Sequence, residues 1–477
     1  MNLVPILPLI ILSGTSILIM LLIAVKRSYN LSFILNLTGF AAAFISLFFI
    51  SNGSTQNISN FLIVDNYAVF FIGLLTAAGF TVSLLSYSNM KKYPGSREEY
   101  YILLLIATLG SAVLVCSDNL VSFFLGLEVL SVSLYILIAY TRDSKKSLEA
   151  GIKYLILAAA SSAFLLFGMA LLYAEYGAMG FNGISQGIKS IGITPLVLTG
   201  FGMMIVGIGF KLAVVPFHMW TPDVYEGASS PVTAFIATVS KGGMFALLLR
   251  FFISLNGYQY HSVILIFSII SIASMIGGNL LALLQRNVKR ILAYSSIAHL
   301  GYLLVAFISG NSLTVEAVTF YLVAYFITII GAFGIITILS GSDKEAEELE
   351  DFKGLFWRRP LVAAVFTAML FSLAGIPLTA GFIGKYLILA AGIGSTMWLL
   401  SIVLVLSSVI GLYYYLRIIT AMYSRKEDGE TEKKSPVFSL GGSVALAFLT
   451  LFLVWLGVFP SGLMSLIKTF VSRLFNG

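Results

Sequence analysis

The chain lacks most of the residues with which proteins carry out redox or metal chemistry. Of its 477 residues one is a cysteine, Cys116, and three are histidines. One thiol cannot form an internal disulfide, and an iron–sulfur cluster needs several thiolates. The sequence contains no C-x-x-C-H haem motif and no glycine-rich nucleotide fingerprint after a strand. We therefore expect no cofactor, no metal and no nucleic-acid partner on this chain.

Charged residues are also scarce. Asp, Glu, Lys and Arg make up 10% of the chain and hydrophobic residues 59%, whereas soluble domains carry about 25% charged residues. Apolar runs of about 20 residues recur from end to end, and each is long enough to cross a bilayer core of about 30 Å. The sequence predicts an all-α membrane protein surrounded by lipid. Lys26 and Arg27 follow the first full-length run instead of preceding it, which favours a true span over a cleavable signal.

We predict fourteen transmembrane spans from these runs. Their expected bounds are 3–25, 31–51, 66–87, 100–118, 119–140, 151–176, 195–220, 231–254, 261–284, 289–309, 314–341, 360–393, 396–423 and 437–459. Lysine and arginine test this division, because cytoplasmic loops carry an excess of both.

The basic residues divide unequally between the two sets of loops. Nineteen are assigned to the odd-numbered loops, namely Lys26, Arg27, Lys91, Lys92, Arg97, Arg142, Lys145, Lys146, Arg286, Lys289, Arg290, Lys344, Lys353, Arg358, Arg359, Arg425, Lys426, Lys433 and Lys434. Four are assigned to the even-numbered loops and the C-terminal tail, namely Lys189, Arg250, Lys468 and Arg473. The asymmetry predicts a multi-pass protein of the cell inner (plasma) membrane with both termini outside the cytoplasm.

Two spans carry helix-breaking residues at matching places. Pro216 follows Lys211 in span seven, and Gly375, Pro377, Gly381 and Gly384 precede Lys385 in span twelve. Proline removes a backbone donor, and paired interruptions in two halves of a chain indicate an inverted-repeat transporter. We therefore predict spans one to three in residues 1–99, a first repeat of spans four to eight in 100–255, and an inverted second repeat of spans nine to thirteen in 256–424. Residues 425–477 hold a cytoplasmic loop, span fourteen and the tail.

Five basic residues fall inside the predicted spans: Lys153, Lys211, Lys241, Lys385 and Arg417. A charge at the bilayer centre costs a few kcal/mol or more, so such residues usually face a bundle interior or a water-filled path. Lys211, Lys241 and Lys385 lie too deep to reach the interface easily. For Lys153 and Arg417, extension of the side chain to the interface remains an alternative.

Glu128, in span five, is the only carboxylate that we place deep in the membrane. We hypothesise that it modulates Lys211, that Lys241 passes a proton along the membrane midplane and that Lys385 is the exit-side gate. A purely structural role for Glu128 stays open. His218 and His299 are candidates for a secondary path with Lys153, since histidine can relay protons near neutral pH, but each is equally a candidate packing residue.

At these positions the sequence resembles subunit N of bacterial respiratory complex I, the proton-pumping NADH:quinone oxidoreductase with its antiporter-like subunits. The matching stretches are NLVSFFLGLEVLSVSLYILIAY (119–140), SLEAGIKYLILAAASSAFLLFGMALLY (147–173), GFKLAVVPFHMWTPDVYEGASSPVTAFIATVSKGG (209–243), VKRILAYSSIAHLGY (288–302) and GIPLTAGFIGKY (375–386). The resemblance covers residues 60 to 460, and the order of the motifs is kept. The segment 147–173 separates subunit N best from its sister subunits.

The resemblance implies that Glu128, Lys211, Lys241 and Lys385 correspond to that family's proton-channel residues, with Lys153 as a further lysine on a hydrated central axis. It implies FMN and iron–sulfur clusters on partner subunits, a quinone used by the whole complex, and other membrane subunits as neighbours, sister antiporter-like subunits among them. Two other classes compete. A subunit of a multi-subunit cation/proton antiporter shares the buried lysines, whereas a self-contained redox enzyme is opposed by the missing cofactor ligands.

Overall fold

The computed structural model describes residues 3–50, 56–58, 60–142, 144–311, 313–341, 345–425 and 440–471. In these residues 13 helices are long and apolar enough to cross a membrane, and two shorter apolar helices occupy the place of predicted span twelve. The all-α membrane architecture is thus confirmed, and span twelve is divided between two helices. Five basic residues of the loop assignment lie outside the described residues, namely Lys344, Lys426, Lys433, Lys434 and Arg473.

The first eleven helices are α1 (Leu7–Val25), α2 (Tyr29–Ser46), α3 (Asn66–Lys92), α4 (Glu99–Cys116), α5 (Leu120–Ile138), α6 (Lys145–Tyr176), α7 (Phe181–Ile191), α8 (Pro195–Leu212), α9 (Trp220–Gly227), α10 (Ser230–Phe235) and α11 (Lys241–Ser254). A π-helical turn, Ile236–Ser240, joins α10 to α11 into one continuous span. Two short antiparallel strands, β1 (Gln56–Ile58) and β2 (Leu62–Val64), precede α3.

The remaining helices are α12 (His261–Leu283), α13 (Val288–Ser309), α14 (Thr314–Leu339), α15 (Leu349–Phe352), α16 (Leu355–Arg358), α17 (Pro360–Ala374), α18 (Ala380–Gly394), α19 (Trp398–Tyr423), α20 (Leu440–Val458) and α21 (Ser461–Val471). Single 3-10 turns cover Val4–Ile6, Leu47–Phe49 and Gly257–Gln259.

The connections between helices meet at two ends of the bundle, as alternating spans require. At one end, Lys146 at the start of α6 contacts Glu226 at the end of α9 and Glu347 before α15. We call this end, which carries the odd-numbered loops, the Lys/Arg-rich face. At the other end, which we call the opposite face, a main-chain bridge joins Leu62 to Ser117.

Several helix ends differ from the predicted bounds. Helix α6 begins at Lys145, six residues before the expected start, because the Ser144 side chain caps it by accepting from the Ser147 amide. Lys145 and Lys146 therefore belong to a helix and not to a loop. Arg250, which we assigned to an even-numbered loop, lies inside α11 and is buried.

The interruption of span seven is confirmed. Helix α8 ends at Leu212, Ala213 adopts the left-handed conformation with φ of 61°, and α9 begins only at Trp220. We call residues 213–219 the first break. Pro216 lies within it, where no helical hydrogen bond is lost by its missing N–H.

The interruption of span twelve is confirmed with one correction. Helix α17 ends at Ala374, Gly375 takes a φ of 82°, and α18 begins at Ala380, so that residues 375–379 form the second break. Gly381 and Gly384, which we expected to interrupt the span, lie inside α18. Their role is close packing, since a Cβ at Gly381 would clash with the Ser372 carbonyl oxygen.

The core of the bundle lies around three spans. In Ser230–Ser254 and Val288–Ser309, every residue of the most apolar 18-residue stretch is buried. The buried share of the corresponding stretch is 89% in Thr314–Leu339 but 33% in the peripheral helix Val4–Val25. Among the described spans, the best shielded are therefore those that carry Lys241, His299 and Tyr321. The division of the chain into two inverted repeats stays a prediction.

Candidate functional site

Lys211 lies in the last turn of α8, directly before the first break. Its side chain is buried, and the Nζ atom donates to the Ser131 hydroxyl of α5 at 3.0 Å and to the Tyr154 hydroxyl of α6 at 3.1 Å. A cation near a helix C-terminus interacts favourably with the carbonyl end of the helix dipole. The break therefore places the ammonium between three helices with hydroxyl groups as its partners.

Glu128 lies one helical turn before Ser131 on α5 and is half-buried. Its Oε1 atom accepts a hydrogen bond from the Ser162 hydroxyl of α6 at 2.6 Å. Residues three apart share one face of a helix, so the carboxylate is a close neighbour of the Lys211 site, while its hydrogen bond comes from Ser162. The predicted pair is brought together without a direct hydrogen bond among the described contacts.

Lys241 is the first residue of α11 and follows the π-helical turn. Turns of this kind are often found at functional sites. The buried Nζ atom donates to the Ser296 hydroxyl of α13 at 2.7 Å and lies 5.4 Å from the centroid of the Tyr225 ring of α9. Ser296 also shares hydrogen bonds with the Tyr225 hydroxyl at 3.2 Å and the Tyr325 hydroxyl at 2.8 Å. One serine hydroxyl thus joins the lysine to two tyrosines.

His299 is a buried, fully hydrogen-bonded histidine on α13. Its Nδ1 atom lies 2.5 Å from the Tyr321 hydroxyl and its Nε2 atom 3.1 Å from the Tyr415 hydroxyl. The ring centroids of His299 and Tyr325 are 5.5 Å apart, which connects this histidine to the Lys241 site. Both ring nitrogens therefore have hydroxyl partners, an arrangement that fits a proton relay as well as a satisfied packing histidine.

Lys385, in the second turn of α18, reaches back across the second break. Its Nζ atom donates to the Leu373 and Ala374 carbonyl oxygens, each at 2.9 Å, and to the Ser408 hydroxyl of α19 at 2.8 Å. The last carbonyls of a helix have no partner within it, so the broken end of α17 supplies acceptors to the ammonium. The Tyr302 ring lies 5.2 Å from the same nitrogen.

Aromatic and hydroxyl groups connect the sites across the core. Ring centroids are 5.5 Å apart from Tyr325 to His299 and 5.4 Å from His299 to Tyr302, which faces Lys385. Between Lys211 and Lys241 the connection runs through α9, whose Trp220 ring lies 4.8 Å from the ring of Tyr154. Proton transfer along this row would require waters between the polar groups, since bridging water reproduces much of a direct hydrogen bond.

The chain matches known proteins over nearly its whole length. Residues 117–411 match the family described as NADH:quinone oxidoreductase/Mrp antiporter, TM. NADH-quinone oxidoreductase subunit N of Ectopseudomonas mendocina (strain ymp) is 45% identical over 480 residues, covering 98% of this chain and 96% of that protein. The chain belongs to the subunit N family. A chain of respiratory complex I from Thermus thermophilus with bound aureothin is 32% identical to this family member, with a TM-score of 0.82 and coverage of 96% of this chain and 98% of that one.

Two more distant structures share the fold with this subunit N family member. A chain of the archaeal membrane-bound sulfane sulfur reductase is 23% identical with a TM-score of 0.85, covering 99% of this chain and 97% of that one. A chain of the Mrp complex from Dietzia sp. DQ12-45-1b is 21% identical with a TM-score of 0.86, covering 100% and 98%. The architecture is thus common to several membrane complexes.

Lys153 does not lie with the other candidate residues of this subunit N chain. Its side chain is 45% exposed at the Lys/Arg-rich face, and its Nζ atom pairs with Glu149 at 2.7 Å and with Asp223 of α9 at 2.9 Å. Helix α6 has 32 residues and a length of about 48 Å at 1.5 Å per residue, so its first turns extend beyond a bilayer core. This geometry fits the alternative in which the side chain reaches the interface.

His218 and Arg417 occupy two further positions. His218 lies buried in the first break, where among the described residues neither ring nitrogen has a hydrogen-bond partner. It is thus placed apart from His299. Arg417 of α19 donates to the Leu283 carbonyl at 3.0 Å and to the Gln285 carbonyl, and so holds the end of α12 near the Lys/Arg-rich face.

An ion pair near the opposite face is not predicted by the sequence. The buried guanidinium of Arg250 binds both carboxylate oxygens of Asp65, at 2.9 and 2.7 Å, and also the Val115 carbonyl at 3.1 Å. Burial raises the pKa of the Asp65 carboxyl, but the charge and hydrogen bonds of Arg250 outweigh it and hold the pKa below its usual value. The partners are 185 residues apart, so no local pattern indicates the pair.

Two other sets of carboxylates were also missed. Glu316, in the first turn of α14, is buried with its Oε2 atom 4.0 Å from Lys468 of α21. Asp223 and Glu226 of α9 are bound to basic residues of α6 and α13. The described residues contain no group of three or more histidine, cysteine, aspartate or glutamate side chains placed to hold a metal ion.

Proposed function

We propose that this chain is the proton-translocating membrane subunit of an NADH:quinone oxidoreductase, in which quinone reduction by partner subunits drives proton pumping through Glu128, Lys211, Lys241 and Lys385. The observation that carries the proposal is the row of three buried lysines, each hydrogen-bonded to a serine hydroxyl of another helix. The identity to a named NADH-quinone oxidoreductase subunit N supports the choice of complex.

The hydroxyl partners suit a group that gains and loses a proton. An ammonium donates three hydrogen bonds, whereas a neutral amine donates two and accepts one, and a hydroxyl can serve either form by rotating. Ser131, Ser296 and Ser408 supply this reversible partner at Lys211, Lys241 and Lys385 in turn. The lysines can therefore exchange protons with intervening water without leaving a buried polar atom unsatisfied.

The other candidate residues have different roles in this path. His299 relays protons between the Lys241 and Lys385 sites, since both its nitrogens contact hydroxyls. Glu128 modulates Lys211 from the adjacent turn of α5. His218 and Lys153 form the secondary path only if water reaches the first break, where the His218 nitrogens face no protein partner among the described residues.

Several features of the assembly belong to the same proposal. The Lys/Arg-rich face is cytoplasmic, in the cell inner membrane, because positive loops are retained there. Neighbouring membrane subunits, including sister antiporter-like chains, bind the exposed helices, while FMN, iron–sulfur clusters and the quinone belong to partner subunits. The two broken spans, each with a lysine beside its break, support the division into inverted repeats at residues 100–255 and 256–424.

A cation/proton antiporter subunit is the alternative function. The similarity of fold to a chain of the Mrp complex and the joint family description favour it. Vesicles that contain the assembled complex separate the two. Sodium-dependent proton flux in the absence of NADH would support the antiporter, and proton uptake that requires NADH and quinone would support the pump.

The proposal is tested by removing one lysine from the assembled complex. We expect Lys241→Ala to lower NADH-driven proton pumping and the linked quinone reduction at least tenfold, with assembly intact on a native gel. The matched control is Lys189→Ala, which removes an exposed lysine on α7 and should leave both rates unchanged. Normal pumping by an assembled Lys241→Ala complex would refute the lysine path.

A further inference from the structure

Helix α9 is short, yet it spans the distance between the Lys/Arg-rich face and two of the lysine sites. It follows the first break and has only eight residues, Trp220–Gly227. An isolated helix of this length is not stable by itself. The contacts that hold α9 in place therefore determine where its side chains lie.

Two carboxylates fix α9 from both sides. Asp223 pairs with Lys153 of α6 and with Arg290 of α13, each at 2.9 Å. Glu226 pairs with Lys146 of α6 at 2.8 Å and with the same arginine at 2.9 Å. The helix is thus held between α6, which belongs to the first predicted repeat, and α13, which belongs to the second.

The connection from α9 to α10 is held as well. The buried Nζ atom of Lys289 donates to the Glu226 carbonyl at 3.1 Å and the Ala228 carbonyl at 2.6 Å, and pairs with Glu345 at 2.6 Å. Glu345 in turn accepts from the amide and the hydroxyl of Ser230, at 3.0 and 2.8 Å, where α10 begins. Both ends of this connection are therefore bound to the same lysine–glutamate pair.

The aromatic residues of α9 reach the lysine sites. Trp220 donates from its ring nitrogen to the Phe210 carbonyl at 3.0 Å and packs on Tyr154, which accepts from Lys211. Tyr225, five residues later, packs on Lys241 and shares a hydrogen bond with its partner Ser296. A shift of α9 along its axis would change the surroundings of both lysines at once.

The carboxylates of α9 are charged in this arrangement. Partial burial raises the pKa values of Asp223 and Glu226, but hydrogen bonds from Lys153 and Arg290 to the first, and from Lys146 and Arg290 to the second, outweigh it. Both pKa values lie below the usual range, so the ion pairs persist at neutral pH.

We propose that Asp223 and Glu226 are positioning residues for proton translocation, whose ion pairs hold α9 so that Trp220 and Tyr225 stay against the Lys211 and Lys241 sites. This role extends the proposed function, on which it rests. Partly exposed ion pairs are individually weak, so this set can yield to a conformational change while still defining the resting position of α9. It also gives Lys153 a role outside the row of buried lysines.

The test compares two carboxylates that share one lysine. Asp223→Asn removes the charge that binds α9 to Lys153. The control, Glu149→Gln, removes the other carboxylate partner of Lys153, and Glu149 is an exposed residue of α6 itself. In the assembled complex, hydrogen–deuterium exchange of the amides of residues 220–228 and the number of protons pumped per NADH are both measured. Asp223→Asn should accelerate the exchange at least threefold and lower the proton ratio, and Glu149→Gln should change neither.

A conservative variant separates positioning from a general loss of folding. Asp223→Glu keeps the charge and should retain at least half of the proton ratio. Unchanged exchange in Asp223→Asn would overturn the holding role of the ion pairs. Faster exchange with a normal proton ratio would overturn the link to the lysine sites. Neither result bears on the row of lysines, because that proposal is tested separately by Lys241→Ala.

Discussion

The two broken spans hold their lysines in different ways. At the first break, Lys211 is bound by two hydroxyls, from Ser131 and Tyr154. At the second, Lys385 is bound by two main-chain carbonyls and one hydroxyl, from Ser408. A carbonyl can only accept a hydrogen bond, whereas a hydroxyl can also donate. The first site can thus rearrange around either form of the amine, and the second depends on one serine to do so.

The breaks also differ in their backbone and their anchoring. The first places an alanine, Ala213, in the left-handed region at φ of 61°, and the second places Gly375 there at 82°. The segment after the first break is held by ion pairs, while the second break, residues 375–379, contains no ionisable side chain. The first break is therefore followed by a helix that carboxylate ion pairs hold, whereas Lys385 spans the second break by hydrogen bonds to the Leu373 and Ala374 carbonyls.

The largest effect is expected from replacing either lysine by arginine. Arginine is effectively never deprotonated and carries a wider, planar head group. Lys211→Arg and Lys385→Arg should each lower pumping and quinone reduction at least tenfold in an assembled complex. If Lys385→Arg pumped normally while Lys211→Arg did not, Lys385 would be a structural charge that caps α17, and the difference between the sites would be greater than we propose.

A methyl group at the second break should be the next most damaging change. In Gly375→Ala the left-handed backbone costs about 1–2 kcal/mol, and the new Cβ would lie 2.8 Å from Cδ of Lys385. We expect a lower thermal midpoint and a rate reduced severalfold. Gly202→Ala is the control, since nothing lies within 4 Å of a Cβ there. Equal midpoints for the two variants would show that the second break tolerates rearrangement as the first does.

The hydroxyl of Ser408 allows the difference between the two lysine sites to be tested at a single hydrogen bond. Removing its hydroxyl leaves Lys385 with acceptors only, so the neutral amine loses its donor at a cost of about 1 kcal/mol. Ser408→Ala should therefore slow pumping about fivefold. The control is Ser268→Ala on α12, whose hydroxyl bonds only within its own helix. An unchanged rate in Ser408→Ala would mean that water supplies the reversible partner.

Acidification should loosen α9, which follows the first break, and leave the second break unchanged. The pKa values of Asp223 and Glu226 are lowered in the folded protein, so their stabilisation is present at neutral pH and is lost as the pH falls through the folded values. Exchange protection of residues 220–228, corrected for intrinsic rates, should decline only below about pH 4. Equal declines at 220–228 and at 375–379 would contradict the difference in anchoring.

The sequence was sufficient to predict the lysines but not their partners. A charged residue within an apolar run can be recognised from that one position in the sequence, and so can helix-breaking residues such as Pro216 and Gly375. The hydroxyls come from distant helices, as in the contact of Lys211 with Tyr154 at a separation of 57 residues. The start of α6 at Lys145, six residues before the expected bound, was not predicted because it depends on a cap at Ser144, which hydropathy does not detect.

The carboxylates of α9 show another reason for missed residues. The positive-inside rule counts lysine and arginine alone, so the acidic residues between spans seven and eight added nothing to the prediction. Their importance arises from folding, which brings α6 and α13 to either side of them. The prediction that Gly381 interrupts span twelve was wrong. In a sequence, a glycine that permits close helix packing cannot be distinguished from a glycine that ends a helix.

Cys116, the only cysteine of the chain, lies with no exposed surface at the end of α4. Thiol reagents therefore meet no accessible native thiol in this subunit, and a single introduced cysteine can be labelled selectively while Cys116 is kept. Met219 in the first break and Leu378 in the second are 66% and 69% exposed, which makes them matched labelling positions. A labelling rate that changes during turnover at only one of the two residues would show which break changes its accessibility during the catalytic cycle.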